Sequence, residues 1–324
     1  MAKVIAVVVT FNRKELLQRC LSALEAQTRP CDAIIVVDNA STDGTAHWLG
    51  ENHREGTEAY GLSRNIGGAG GFNFGLRTAF QASADFIWVM DDDVICEPDA
   101  LERLLEADRA LEERGVERAF LASTIWTPEG MATNVPEIDR RPNRIDYENW
   151  TACLDLTAAP VTRATFVSIL FPRRALEEHG LPLAPMFIWA DDTEYTIRVT
   201  RRIPGFVVGA SRVTHVRAMA GNISLLTEDN PVRIGFHRLL ARNMVYVVRT
   251  HFGRKALLRH LRKEARTILK LLRAGQAGKA RVLAGGIAEG LRFRPPVERA
   301  DSSPRSLGVE ITRIGKAERE TQAA

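Results

Sequence analysis

Ala84-Asp85-Phe86-Ile87-Trp88-Val89-Met90-Asp91-Asp92-Asp93 runs from an apolar segment directly into three carboxylates. An apolar run bounded by charge predicts a short buried strand, Phe86 to Met90, in the middle of a sheet. Three adjacent acids at its end repel one another, so each is either ionised against a cation or pushed toward protonation. A hard divalent metal with oxygen ligands, itself bridging to a phosphate, removes that conflict. The competing reading is a solvated acidic turn before a helix at Pro98, where the helix dipole favours acids. The surrounding sequence decides between them.

Upstream, Val4-Ile5-Ala6-Val7-Val8-Val9 is a continuous apolar run of the kind buried on both faces of a parallel sheet. Thr10 to Arg13 follows as a loop, and Lys14 to Gln27 carries Leu17, Leu21 and Leu24 at helical spacing. Ile34-Ile35-Val36-Val37 repeats the pattern, with Asp38 to Thr45 as its loop and Thr42 or Asp43 as N-cap of a helix around Trp48. Strands alternating with helices predict an α/β, doubly wound, mostly parallel sheet flanked by helices, with ligands beyond the carboxyl ends of the strands. Thr10 to Arg13, Asp38 and Asp91 to Asp93 would then share one crevice. Between the second and central strands lies Leu62-Ser63-Arg64-Asn65-Ile66-Gly67-Gly68-Ala69-Gly70-Gly71-Phe72-Asn73-Phe74-Gly75. Glycines that open a helix suit either close ligand approach or close packing of the helix on the sheet. The spacing matches neither the dinucleotide fingerprint nor the phosphate-binding loop of nucleotide triphosphatases.

With 324 residues, 45% of them hydrophobic, the chain can bury one large core or two modest ones. Its four cysteines have no paired spacing, which argues against a zinc ribbon and a disulfide framework. The first apolar run is too short for a secretion signal, and no run is long enough to span a bilayer. The expected location is therefore cytoplasmic. Charge is divided unevenly: residues 231–300 hold 17 Lys and Arg against three Glu and no Asp, while the remainder is net acidic. A basic arm on an acidic body implies an anionic partner for the arm, either nucleic acid or a membrane surface.

Taken in order, Val7-Val8-Val9-Thr10-Phe11-Asn12-Arg13, Val36-Val37-Asp38-Asn39-Ala40-Ser41-Thr42-Asp43-Gly44-Thr45, Arg64-Asn65-Ile66-Gly67-Gly68 and Met90-Asp91-Asp92-Asp93 resemble the ordered motifs of family 2 glycosyltransferases with the GT-A fold. Four pieces in register over about ninety residues make the resemblance specific. It implies that Thr10, Asp38 and Arg64 contact the base and ribose of a nucleotide sugar, with Asn12, Arg13, Asn65, Gly68 and Asp92 in the same donor site. It implies that Asp91 and Asp93 are the ends of a DxD motif that holds Mn2+ or Mg2+ on the diphosphate.

Farther on, Met186-Phe187-Ile188-Trp189-Ala190-Asp191-Asp192-Thr193-Glu194-Tyr195-Thr196-Ile197-Arg198 brings acids to the mouth of a helix. Inverting sugar transfer needs one carboxylate to take the acceptor hydroxyl's proton, separate from those that hold metal. The stretch is similar to the family's base-bearing motif, whose second acid maps to Asp192, with Asp191 orienting the acceptor or raising its neighbour's pKa. The competing reading is an acidic helix start with Glu194 paired to Arg198. By the same resemblance His215, ending the run Val213-Thr214-His215, is a third metal ligand. The other six histidines, His237 and His251 among them, are expected at the surface. Trp189, adjoining the base, is expected to face the acceptor.

Gly67 to Phe72 together with Trp189 and Asp191-Asp192 look like bacterial galactofuranosyltransferases of cell-wall galactan synthesis, which use UDP-galactofuranose. Ala190, between the tryptophan and the acids, departs from the subgroup in which these are contiguous. Rhamnosyltransferases using a dTDP-sugar are the alternative among enzymes. Outside enzymes, a nucleotide-sugar-binding protein would leave Asp192 unexplained, and a nucleic-acid-binding protein would need aromatic or polar readout beside its charge. The expected organisation is a nucleotide-sugar half (1–110), an acceptor half with the base (111–230), a basic helical region (231–300) and a mobile tail (301–324). Phe236, Leu240, Met244 and Val247 form one apolar stripe of the basic region, and Leu257, Leu261, Ala265, Ile268 and Leu272 another, with Gly253 between two helices. Such helices suit an anionic membrane surface on the inner face of the cell membrane, where a glycan or glycolipid acceptor would be met. A homo-oligomer is compatible with the same stripes.

Overall fold

The structure is a computed structural model that describes residues 2–52, 54–216 and 223–315. Its elements run β1 (Val4–Thr10), α1 (Lys14–Glu25), β2 (Ala33–Asp38), α2 (Thr45–Glu51), β3 (Thr57–Leu62), α3 (Gly67–Gln81), β4 (Phe86–Asp91), β5 (Val94–Cys96), α4 (Ala100–Glu113), β6 (Leu121–Trp126) and β7 (Glu137–Ile138). Then come β8 (Ala158–Arg163), β9 (Ile169–Pro172), α5 (Arg173–His179), α6 (Asp191–Val199), β10 (Gly205–His215), α7 (Pro231–Val247), α8 (Gly253–Arg273), α9 (Ala277–Arg292) and β11 (Ile311–Ile314). Among the described residues all strands join one sheet, in the order β11-β3-β2-β1-β4-β9-β6-β10-β8-β7, with β5 paired to β10.

The first half is the parallel sheet that the sequence predicts: β1 pairs in parallel with β2 and β4, and β2 with β3. The second half is mixed, because β9 enters antiparallel between β4 and β6. Every residue of β1 is buried. Ile5, Val7 and Val9 face a layer that contains Phe72, Phe74 and Leu76 of α3, while Val4, Ala6 and Val8 face Leu17, Leu21 and Leu24 of α1. A strand with both faces covered has no use for alternating polarity, which accounts for the unbroken apolar run.

The basic region forms three helices, α7 to α9, with a π-helical turn, Val248–Phe252, joining the first two. Gly253, at φ 78°, marks the break expected there. The face that α7 buries differs from the expected stripe: His237, Ala241, Asn243 and Val245 are buried, whereas Phe236, Leu240 and Met244 are half-buried. Polar residues inside that face serve the neighbouring chain, as shown below. No helix among the described residues is long and apolar enough to cross a membrane.

Within the segment expected as a mobile tail, residues 301–315 are tied to the sheet and to α3. β11 adds antiparallel to β3 and closes that edge of the sheet. Arg77, 1% exposed on α3, reaches Glu298 in a short ion pair and donates to the Ser302 carbonyl at 2.8 Å. An exposed sheet edge is a template for any extended segment, and a buried guanidinium requires partners, so the tail is ordered by needs of residues far away in sequence. Residues 316–324 lie outside the described residues.

Candidate active site

The carboxyl ends of β1, β2, β4 and β10 converge, as the alternation of elements requires. Asp91 ends β4, and the chain turns at once into β5, which pairs antiparallel with β10 in the register Val94 with His215. That register sets His215 Nε2 3.0 Å from Asp93 Oδ1. Ligand atoms of Asp91, Asp93 and His215 all lie within 4.8 Å of one another. The three residues expected as metal ligands are thus brought together from positions over a hundred residues apart.

The acids differ in their surroundings. Asp92 is buried and accepts from Thr10 Oγ1 (2.7 Å) and Arg13 Nη1 (3.2 Å). Burial pushes its carboxyl up to about 6 against the pull of Arg13 and Thr10. Asp93 accepts from the same Arg13 nitrogen at 2.7 Å; burial would raise it, yet His215 and Arg13 hold it below the ordinary aspartate value. Asp91 is pushed well upward by burial and then by the charges of Asp93 and Asp92. A cation beside Asp91 and Asp93 would relieve that repulsion. A second observation supports the fit. Asp93 Oδ1 is buried without a hydrogen bond although His215 Nε2 is 3.0 Å away, while His215 Nδ1 is engaged by Asn134 Oδ1 at 3.1 Å. One imidazole and two carboxylates suit a divalent ion of the Mn2+ or Mg2+ kind.

The loop after β2 makes the floor of the crevice. Asp38, 2% exposed, accepts from the Ser41 amide at 2.9 Å, and burial raises its carboxyl above the ordinary value. Asn12, at φ 53°, binds the Thr42 amide through its Oδ1 at 2.7 Å and so ties the first two strand-end loops together. Asn39 was not singled out in the sequence, and its role is to lock the glycine loop: its Oδ1 accepts from the Ile66 amide and its Nδ2 donates to the Gly67 carbonyl, both at 2.9 Å. Asn65 Oδ1 caps the Gly67 amide at 2.7 Å. Arg64 leaves the crevice and reaches the Gly308 carbonyl at 3.3 Å.

The packing reading of the glycine stretch holds at some glycines, and others are open. A methyl on Gly71 would stand 2.5 Å from Val9 and one on Gly75 2.3 Å from Val7, so these two let α3 lie close on β1. A methyl on Gly68 would meet nothing, so this position faces open space at the start of the helix. Gly67, at φ 77°, presses on the carbonyl of Phe187, which in turn accepts from the Ala69 amide at 3.1 Å.

Through that contact the start of α3 meets the loop that leads into α6. Asp191, 8% exposed, begins α6. Burial and then the charge of Asp192 push Asp191 up to about 8, and its charge is felt at Asp91. Asp192 is half-buried; its Oδ1 accepts from the Thr193 amide at 2.5 Å. Burial raises it too, opposed by that amide and by Arg163. The two carboxyls are therefore both pushed upward and titrate as a coupled pair. Glu194 pairs with Arg198 at 2.9 Å, as the helix spacing predicts.

Trp189 is half-buried, its ring edge-on to Phe236 and His237, with the Arg233 guanidinium 5.6 Å over it. The surface assignment of two histidines is overturned. His237 is 3% exposed, and the His251 side chain, 7% exposed, donates through Nε2 to Glu194 Oε1 at 3.1 Å. A lone histidine in a basic helix carries no local mark of burial, and only the packing of the helices on α6 supplies one.

Comparison with known proteins bears on the same half of the chain. Residues 5–116 match the family described as Glycosyl transferase family 2. Galactofuranosyltransferase GlfT1 of Mycobacterium tuberculosis is 44% identical over 91 residues, which is 28% of this chain and 30% of that protein. Its counterpart in Mycolicibacterium smegmatis is 44% identical over 90 residues, with the same shares. Undecaprenyl-phosphate mannosyltransferase of Micrococcus luteus is 34% identical over 109 residues, 33% of this chain and 44% of that protein. The chain thus spans about 30% of the length of the GlfT1 relatives. Residues 1–349 of S. aureus TarS, in a crystal structure, share the fold over 90% of this chain and 72% of that one, with a TM-score of 0.51 and 16% identity. The complex of that fragment with UDP gives the same TM-score at 15% identity. Residues 5–116 thus resemble family 2 glycosyltransferases in sequence, and the mostly parallel sheet with its flanking helices has the GT-A fold of the TarS fragment.

Proposed function

We propose that this chain transfers a sugar with inversion from a nucleotide-sugar donor, UDP-galactofuranose, to a hydroxyl of a lipid-linked glycan. The observation that carries this reading is the nearness of two separate acid sets. Asp91, Asp93 and His215 cluster at the ends of β4 and β10, and Asp191 at the start of α6 is near enough for its charge to be felt at Asp91. Asp91, Asp93 and His215 are the residues that would hold Mn2+ or Mg2+, which when bound supplies positive charge to the departing diphosphate. Asp38, with Asn12, Asn65 and the open start of α3 at Gly68, lines the space for nucleoside and phosphates. Thr10 and Arg13 hold Asp92 and Asp93 in place, and Arg64 would have to leave Gly308 to meet the base. Asp192, the less buried of the pair, takes the acceptor hydroxyl's proton. Asp191, buried beside it, orients the acceptor or raises its neighbour's pKa by its charge. Trp189 offers its remaining face to the acceptor.

The choice of UDP-galactofuranose is supported by the 44% identity to GlfT1 over 91 residues. A dTDP-rhamnose donor is the alternative. Incubation of the protein with Mn2+ and each nucleotide sugar, with release of free nucleotide as the readout, separates them. Nucleotide release confined to dTDP-rhamnose or to hexopyranose donors would defeat the galactofuranose reading.

The basic helices support contact with an anionic membrane surface. Leu258, Ala265, Leu269 and Leu272 are exposed along one stripe of α8, flanked by Lys255, Arg259, Arg262, Arg266, Lys270 and Arg273. Apolar residues down and cations toward headgroups is the arrangement of an interfacial helix. Sedimentation with anionic but not neutral liposomes, relieved by salt, is the expected result.

A further inference from the structure

The four residues before Asp191 form an unusual turn. Phe187, Trp189 and Ala190 have φ of 66°, 61° and 67°. Side-chain-bearing residues enter this region at a cost, and they persist there only when their surroundings over-determine them. The carbonyls of Phe187, Ile188 and Trp189, and that of Met186 before them, have partners from other elements, and Ala190 O accepts from the Glu194 amide of α6. Phe187 O is held by the Ala69 amide at the start of α3. Met186 O, Ile188 O and Trp189 O all converge on one group, the Asn243 amide, whose Nδ2 lies at 3.0, 3.2 and 2.9 Å from them. Asn243 is fully buried in the middle of α7. Its neighbour Arg242 adds Nη2 bonds to Pro185 O at 2.7 Å and to Met186 O at 3.2 Å.

The helix beyond the turn is held from the same arm. His251 stands on the π-helical turn that follows α7, a local irregularity of the kind that re-aims side chains at functional sites. It donates to Glu194 Oε1, while Arg198 binds both oxygens of that carboxylate and donates to the Leu181 carbonyl at 2.9 Å. The arm is itself tightly built: α9 lies against α7 so closely that a methyl on Gly286 would strike the Arg238 carbonyl at 2.3 Å.

We propose that Asn243 and His251 are positioning residues for the Asp191-Asp192 pair, Asn243 by holding the strained turn that leads into it and His251 by holding the helix that carries it. The basic arm is then part of the machinery that sets the base, whatever surface its outer face meets. This rests on the transferase reading above. Removing the amide of Asn243 takes the donor from the Ile188 and Trp189 carbonyls, while Met186 O keeps Arg242 and the Ile188 amide, and it loosens the positive-φ residues Trp189 and Ala190, which turns the start of α6. A displacement of about 1 Å costs roughly tenfold to a hundredfold in turnover, while Asp38, Asp91, Asp93 and His215 keep their places on the sheet, away from Asn243 and His251.

The test compares Asn243→Leu, His251→Leu and His251→Gln with the wild type, each as the full chain. Two measurements are made: turnover of UDP-galactofuranose with Mn2+, and amide hydrogen exchange by mass spectrometry. The expected result for both leucine variants is a roughly tenfold to hundredfold lower kcat with UDP binding within about twofold of wild type, and faster exchange confined to 186–194. His251→Gln, which keeps a donor, is expected to recover most of the turnover lost in His251→Leu. Wild-type kcat in the folded leucine variants, or a loss that follows only the drop in melting temperature, overturns the proposal, and so does unchanged exchange over 186–194. If Asn243→Leu does not fold, the two His251 variants decide the matter. A wild-type chain that releases nucleotide from no donor overturns the transferase reading instead, and the exchange measurement then judges the brace alone.

Discussion

His215 Nε2 stands 3.0 Å from Asp93 Oδ1, yet Asp93 Oδ1 is buried without a hydrogen bond. Two groups that close would ordinarily align, since an unmade bond in the interior costs about 1–3 kcal/mol. With ligand atoms of Asp91 within 4.8 Å of both, the three side chains could hold a metal ion. Asp93→Ala and His215→Ala are each expected to weaken Mn2+-dependent UDP binding by at least roughly tenfold to a hundredfold, the range that even outer-shell partners of a metal command. Titration calorimetry with Mn2+ and with chelator reads this. Equal UDP affinity in the two media for the wild type would refute the metal site.

Asp192→Asn is expected to lower kcat by about 10²–10⁴-fold, the usual contribution of a general base, with UDP binding unchanged. The base works when deprotonated, and burial raises the Asp192 carboxyl above its ordinary value. In the wild type kcat/KM is therefore expected to rise with pH through a limb displaced above the ordinary aspartate range. Retention of that limb in Asp192→Asn would assign it to another group.

Glycines of α3 separate into two behaviours. Gly75→Ala puts a methyl 2.3 Å from Val7 and is expected to cost about 1–3 kcal/mol of stability through overpacking. Gly68→Ala meets open space and is expected to leave the melting temperature unchanged or slightly higher, since alanine is the better helix former. It should nevertheless raise the donor KM if this helix start faces the donor. Paired thermal melts and donor titrations check both, and wild-type KM in Gly68→Ala would remove that position from the donor site.

Glu194 couples stability to pH. Burial alone would raise its carboxyl, but His251 and Arg198 outweigh burial and hold it below the ordinary glutamate value. A carboxylate with a depressed folded pKa contributes stability that is fully present above its unfolded value and is lost as pH falls through the folded one. Chemical denaturation between neutrality and pH 3 should therefore show a loss that starts near the ordinary glutamate range and continues below it. Glu194→Gln removes this part of the loss and is expected to cost about 3–5 kcal/mol at neutral pH, because it leaves buried charge without its partner. A pH dependence identical in that variant and the wild type would show that Glu194 does not carry it.

Much of the fold was legible in the chain. β1, β2 and β4 are apolar runs between polar loops, and their spacing alone sends Thr10, Asp38 and Asp91 to one edge of a sheet. Glu194 and Arg198 are neighbours by helix geometry. Misreadings occurred where a residue's partner lies far along the chain. The segment after residue 301 has little apolar content, and nothing local shows that β3 has an open edge for it or that Arg77 awaits Glu298. His251 reads as one more polar residue in a basic helix until α6 is packed against it.

Local chemistry, read from sequence alone, determined the alternation of strands and helices and which loops carry acids, because period, branching and turn residues act over a few positions. Tertiary structure decided what those loops do together. The β5–β10 pairing set His215 beside Asp93, the closeness of α3 to the sheet sorted packing glycines from the open one, and α7 brought Asn243 to three carbonyls of a strained turn. Each is a contact between segments separated by tens to hundreds of residues, and the energy that selects it comes from burial and hydrogen bonds shared between them, which neither segment shows by itself.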